Sequence, residues 1–147
     1  MQSQSVVESR FFLNDQSGTA AVEFAAVLPA YLVVCLGILA YGIYFGACHS
    51  VQQLAADAAR YSIAGLNNQE RVALSTAYVR TNASSYPLLD PTKISVSSQP
   101  SEQDDSNLTV RVTYDAKDLP IWRLVKFVTL PTPLIARVAV IHRGGEL

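Results

Sequence analysis

Apolar residues crowd into one stretch near the N-terminus. Residues 24–47 contain no Asp, Glu, Lys, Arg or His, and as a helix rising about 1.5 Å per residue they would be about 36 Å long, against a hydrocarbon core of about 30 Å. A helix apolar on every side needs protein or lipid all round it, and a chain of 147 residues offers little protein to supply that cover. The stretch therefore predicts a membrane span. Beyond it the pattern turns amphipathic: Val51, Leu54, Ala58 and Tyr61 fall on one stripe while Gln53, Asp57 and Arg60 face elsewhere. One helix is predicted over about 20–64, closed by Gly65. Asn67 or Asn68 can cap a second helix running to about Asn82, with Leu74, Ala77 and Tyr78 inward.

The period then changes to two. Strands are predicted at 93–97, 108–115 and 134–142, bounded by prolines and polar clusters. The second is the clearest, since Leu108, Val110, Val112 and Tyr114 alternate with Thr109, Arg111, Thr113 and Asp115. Residues 99–107, with Glu102, Asp104 and Asp105, read as a solvated hairpin loop, and 119–128 as a short amphipathic helix around Ile121, Trp122, Leu124, Val125 and Val128. The class implied is α+β: a long N-terminal transmembrane helix, then a small domain with a short helix and a roughly three-stranded antiparallel sheet. Three regions follow: residues 1–18 as a polar leader, 19–64 as the long helix with its span at about 24–47, and 65–147 as the outer domain.

Charge excludes more than it suggests. A formal net charge of −1 and a pI near 6.1 supply no basic field to gather nucleic acid. Cys35 and Cys48 lie about 20 Å apart along a helix, too far to bridge within one chain. Cys48 reads as a small residue packed in a helix interface, with a cross-link to a neighbouring copy as the alternative. His49 and His142 lack neighbours at metal-ligand spacing, and no phosphate loop, nucleophile elbow or zinc-protease motif occurs. No enzymatic activity, catalytic residue, metal or cofactor is expected.

The informative stretch is Gly18-Thr19-Ala20-Ala21-Val22-Glu23-Phe24, opening directly onto the apolar run. Glu23 is an acid at the edge of a span, where ionisable groups are costly and usually paired. If the chain is cut after Gly18, Thr19 carries a new α-amino group, and Glu23 lies about 6 Å further along the helix. Staggered copies could then set the amine of one beside the carboxylate of another in a poorly hydrated place. The bland alternative is a loop glycine and a snorkelling interfacial acid. Within the span, Gly42 and Gly46 make a Gly-xxx-Gly pair, with Gly37 further in. Such spacing lets helices pack closely, though glycine is also common in membrane helices. Pro29 frees a backbone carbonyl and should bend the helix.

This arrangement resembles the processing site of type IV pilin-like precursors, and more closely that of the Tad (Flp, type IVc) pilus system. Residues 12–29 look like the TadE-like pseudopilins, and residues 52–61, ending Ala-Asp-Ala-Ala-Arg-Tyr, look like that family's region after the span. The resemblance implies a minor pilin or pseudopilin cut by prepilin peptidase between Gly18 and Thr19, with Glu23 and Phe24 setting recognition and assembly register. It implies contacts with other pilins through the N-terminal helix and with a pilus assembly platform. Residence would be in a bacterial inner membrane with the C-terminal domain in the periplasm, or in an extracellular pilus, serving pilus biogenesis, adherence and biofilm formation. The leader departs from the pattern, because it carries Arg10 against Glu8 and Asp15 where pilin leaders are commonly basic. The alternative is an uncleaved, signal-anchored envelope protein whose outer domain binds an assembly partner.

Overall fold

A computed structural model describes residues 17–101, 107–124 and 131–142. The expected leader up to residue 16, the acidic loop tip with Glu102, Asp104 and Asp105, and the second half of the expected 119–128 helix lie outside the described residues. The chain forms two compact units, one ending at Ile38 and the other running Leu39–Leu147, and helix α1 (Ser17–Tyr61) contributes to both.

In the first unit, α1 from Gly18 to Ile38 is exposed except at Leu28, Cys35 and Gly37, which are half-buried. Val22, Phe24, Val27, Tyr31 and Ile38 are each more than half exposed. An apolar surface of that size is unfavourable in water and needs a dry partner. The segment Gly18–Ala64 is long and apolar enough to cross a membrane.

In the second unit, the rest of α1 turns one face inward. Ala40, Tyr44, Ala47, Val51, Leu54 and Ala58 recur at steps of three and four, and all are buried. Ala47, Cys48, Ala55, Ala58 and Ala59 add small side chains to the buried face, which allows other elements to approach closely. This face packs in one core with strand β2 (Asn107–Asp115), whose Leu108, Val110 and Val112 have no exposed surface, together with Tyr114, Ile121 and Ile135. Each such aliphatic side chain stabilises the fold by about 1.5–3 kcal/mol on burial. Within residues 40–47, read from composition as the outer part of the span, Ala40, Tyr44 and Ala47 are buried in the second unit, Tyr41, Ile43 and Gly46 are half-buried, and Gly42 and Phe45 are exposed.

The sheet order is β1-β2-β3, with β1 at Ile94–Pro100 and β3 at Leu134–His142, antiparallel throughout. Tyr114 pairs with Ile94 on one side and Ile135 on the other, and the register holds to Leu108 opposite Pro100 and Ile141. The expected α+β class, three strands and two helices are all present. β1 runs three residues beyond the expected end because its pairing with β2 continues to Pro100.

Helix α2 (Asn68–Asn82) starts where its cap predicts: the Asn67 side chain accepts from Glu70 N, and the Glu70 carboxylate accepts from Leu66 N at 2.9 Å. Its inner face differs from the expected one. Arg71, Ser75 and Val79 are buried, while Ala77 is exposed and Leu74 and Tyr78 are half-buried. Ser75 Oγ lies 2.8 Å from Ser98 Oγ on β1, so the helix rotates toward a polar contact that apolar periodicity does not reveal. Gly65 permits the turn between α1 and α2, since a Cβ there would lie 2.7 Å from Arg71 N and 2.8 Å from its Cγ. The short helix α3 (Ile121–Leu124) is the described part of the expected 119–128 helix. It begins near a bond in which Trp122 Nε1 donates to the Ala116 carbonyl at 2.6 Å.

Candidate assembly helix and its anchor

The residues expected to govern processing occupy the first turns of α1. Gly18, Thr19, Glu23 and Phe24 are all exposed, and a Cβ at Gly18 would meet nothing within 4 Å. Thr19 and Glu23, four positions apart, share one helical face, about 6 Å apart in rise. Pro29 lies inside α1, where it removes the N–H that would have donated to the Ala25 carbonyl. Chemically, this segment offers an apolar rod with one carboxylate near its start.

The glycines divide between two environments. Gly37 belongs to the first unit and is half-buried, while Gly42 is exposed with nothing within 4 Å of its absent Cβ. Gly46 instead faces Leu88, whose Cδ1 would lie 2.9 Å from a Cβ at that position. In the second unit, then, Gly42 keeps an open backbone surface and Gly46 seats a loop of the same chain.

Sequence reading missed a polar network that fastens α1 to the rest of the second unit. Asp57 Oδ1 accepts from Arg60 Nη1 at 2.8 Å, and its Oδ2 accepts from the Tyr86 hydroxyl at 2.8 Å. The Tyr86 hydroxyl also lies 3.2 Å from that of Tyr78, and the Tyr78 ring packs 5.2 Å from the Tyr61 ring. Asp57, Arg60 and Tyr61 of the Asp-Ala-Ala-Arg-Tyr run are thus all engaged with each other or with α2 and the segment after it. Burial, with hydrogen bonds to Tyr78 and Asp57, raises the Tyr86 phenol well above its ordinary range. The Asp57–Arg60 spacing was visible in the sequence, but nothing there pointed to Tyr86, 29 positions further on.

Other charges settle into local ion pairs. Lys93 bridges Asp118 and Asp90, the latter at 3.4 Å, and the Asp118 carboxylate holds the Lys93 amine above its usual range. Hydrogen bonds from Thr92 hold Asp90 low, and the Lys117 backbone N–H does the same for Asp115. His142 Nδ1 lies 2.7 Å from Asn107 Oδ1. Among the described residues, no three His, Cys, Asp or Glu side chains cluster to hold a metal ion.

A helix apolar and long enough to span a bilayer, followed by a small α+β unit, fits a single-pass membrane protein. Residues 18–60 match the family model described as TadE-like protein. The matched segment is similar to a TadE-like pilin family of Tad pili. It includes the exposed apolar stretch as well as Asp57 and Arg60. No curated protein and no solved structure matches the chain.

Proposed function

We propose that this chain is a minor pilin or pseudopilin of a Tad (type IVc) pilus, cut between Gly18 and Thr19 by prepilin peptidase and assembled through its N-terminal helix. The observation that carries the reading is the coincidence of the TadE-like match over residues 18–60 with an exposed apolar helix that has Gly18 and Glu23 at its start. Burial in the second unit begins at Ala40, which leaves residues 18–39, about 33 Å of helix, to fill the hydrocarbon core. On that placement Glu23 sits inside the membrane edge, where an unpaired carboxylate is costly. The α-amino group of Thr19 on a staggered neighbour neutralises it. Phe24 supports recognition, Pro29 bends the rod, and Gly37 and Gly42 admit close helix contact.

Residues 65–147 would then lie in the periplasm, with the chain held in a bacterial inner membrane or incorporated into the pilus. Its partners are the peptidase, other pilins and the assembly platform, and its role is in pilus biogenesis, surface adherence and biofilm formation. Intact mass of the membrane-extracted protein tests the reading: loss of residues 1–18 is expected, and a full-length product from cells with an active peptidase overturns it. Gly18→Leu should abolish that loss, because the peptidase must accommodate the residue before the cut.

A further inference from the structure

We propose that the groove between α2 and the open edge of β1 binds an extended segment of another protein, which adds a strand to the sheet, seats an apolar side chain in a cavity and sets a carboxylate against Arg80. All of these parts belong to the second unit, and the groove is independent of the membrane reading. β1 is an edge strand: it pairs with β2 over Ile94–Pro100, and no described strand takes its other side. Alternate residues of a strand aim their N–H and C=O groups at each edge, so that side is a template for one more strand. Edges of this kind are commonly guarded by charge or proline. β3, the opposite edge, has such a guard in Arg137, which sits across from buried Val112 on the core-facing register yet is itself exposed. β1 has none, since Ile94 to Gln99 contains no charge and no proline.

Helix α2 flanks the open edge. The Ser75 hydroxyl donates to that of Ser98, near the end of β1, at 2.8 Å. Toward the start of β1 the two elements part around a cavity of about 310 Å³, lined by Val79, Arg80 and Ala83 on one side and Ile94, Ser95 and Val96 on the other. Ile94 and Val96 pack against the core, whereas Ser95 belongs to the opposite set, so the cavity wraps the edge of the strand rather than either face. With β2 on the other edge, only the open one is left. Val79 and Ala83 are buried and Ile94 and Val96 half-buried, which gives the cavity an apolar floor. Its volume lies at the small end of ligand sites and suits one or two side chains of an incoming strand.

Charge selects the occupant. Arg80 is exposed, and the positions three and four away from it, Thr76, Ala77, Ala83 and Ser84, carry no acid. It makes no ion pair among the described residues. Asp90, beside Pro91 of the same lining, is engaged by Thr92 and Lys93. A cation next to an apolar floor and an unpaired strand edge fits a carboxylate side chain that neighbours an apolar one. Main-chain pairing to an edge supplies affinity in this mode of recognition, and pockets for alternate side chains supply specificity.

The test titrates the full chain in detergent against fluorescent, end-capped hexapeptides of alternating valine and threonine that carry one glutamate or one lysine, read by anisotropy. The glutamate peptide is expected to bind more tightly than the lysine peptide. Arg80→Glu, a substitution on the surface, should reverse that order and weaken the glutamate peptide about tenfold. N-methylation of every second residue in one phase should abolish binding, and in the other phase should leave it, because only alternate N–H groups face the edge. Failure of both peptides to bind, equal effects of the two N-methyl phases, or glutamate binding untouched by Arg80→Glu overturns the groove. Dimers of the chain without peptide, seen by sedimentation and dissolved by Arg80→Glu, overturn a separate partner and assign the groove to a second copy.

Discussion

Asp57 shows how much one carboxylate can organise. It holds Arg60 on its own helix and receives the hydroxyl of Tyr86 from a distant segment, so removing that hydroxyl strips half of its partners. Tyr86→Phe should lower stability by about 1 kcal/mol, read from thermal unfolding of the full chain in detergent. The same residue gives a pH dependence. Its phenol is raised in the folded protein, so the neutral form is favoured by folding. The associated stability is complete below the ordinary tyrosine value of about 10 and is lost as pH climbs above it. Alkaline destabilisation should therefore be shallower in Tyr86→Phe than in the unaltered chain. The Tyr86 contact was not legible beforehand, because Tyr86 belongs to no periodic pattern and its partner's role depends on where the chain returns.

At the level of elements, the sequence carried most of the information. The Asn67 cap located the start of α2, and strict alternation located β2 and its inward residues. Two features escaped, for physical reasons. Residues 40–47 look the same whether they face acyl chains or a sheet, since both environments are dry, and the structure sets Ala40, Tyr44 and Ala47 in the core. The inner face of α2 escaped because it is not apolar: Arg71 and Ser75 are buried there, with Arg71 Nη1 donating to Asn68 Oδ1 at 3.4 Å. The turn between α1 and α2 makes a sharper demand. Gly65→Ala forces a methyl against the Arg71 backbone and should cost about 1–3 kcal/mol, seen as a lowered denaturation midpoint. The residues of the candidate site were legible as a motif, since Gly18, Glu23 and the apolar run are adjacent in sequence. The division of labour between Gly42 and Gly46 was not, because it depends on Leu88, far along the chain.

For the molecule as a whole, assembly and insertion make opposite demands on Glu23. Insertion favours its removal, since a charge at the membrane edge is costly, whereas the proposed pairing with a neighbouring amine requires it. Glu23→Ala should thus insert at least as well as the unaltered chain, measured by carbonate extraction, yet recover fewer pilin partners on cross-linking. Normal recovery of those partners would remove the pairing from the account.

The core of the second unit also imposes a schedule. Its helical wall, Ala40 to Ala59, is synthesised first, while β2 arrives dozens of residues later and gains its last neighbour at Leu134–His142. On the ribosome, that wall must wait through most of translation before anything native can cover it. A nascent chain stalled before β3 would leave one edge of β2 bare and its greasy helix still seeking shelter.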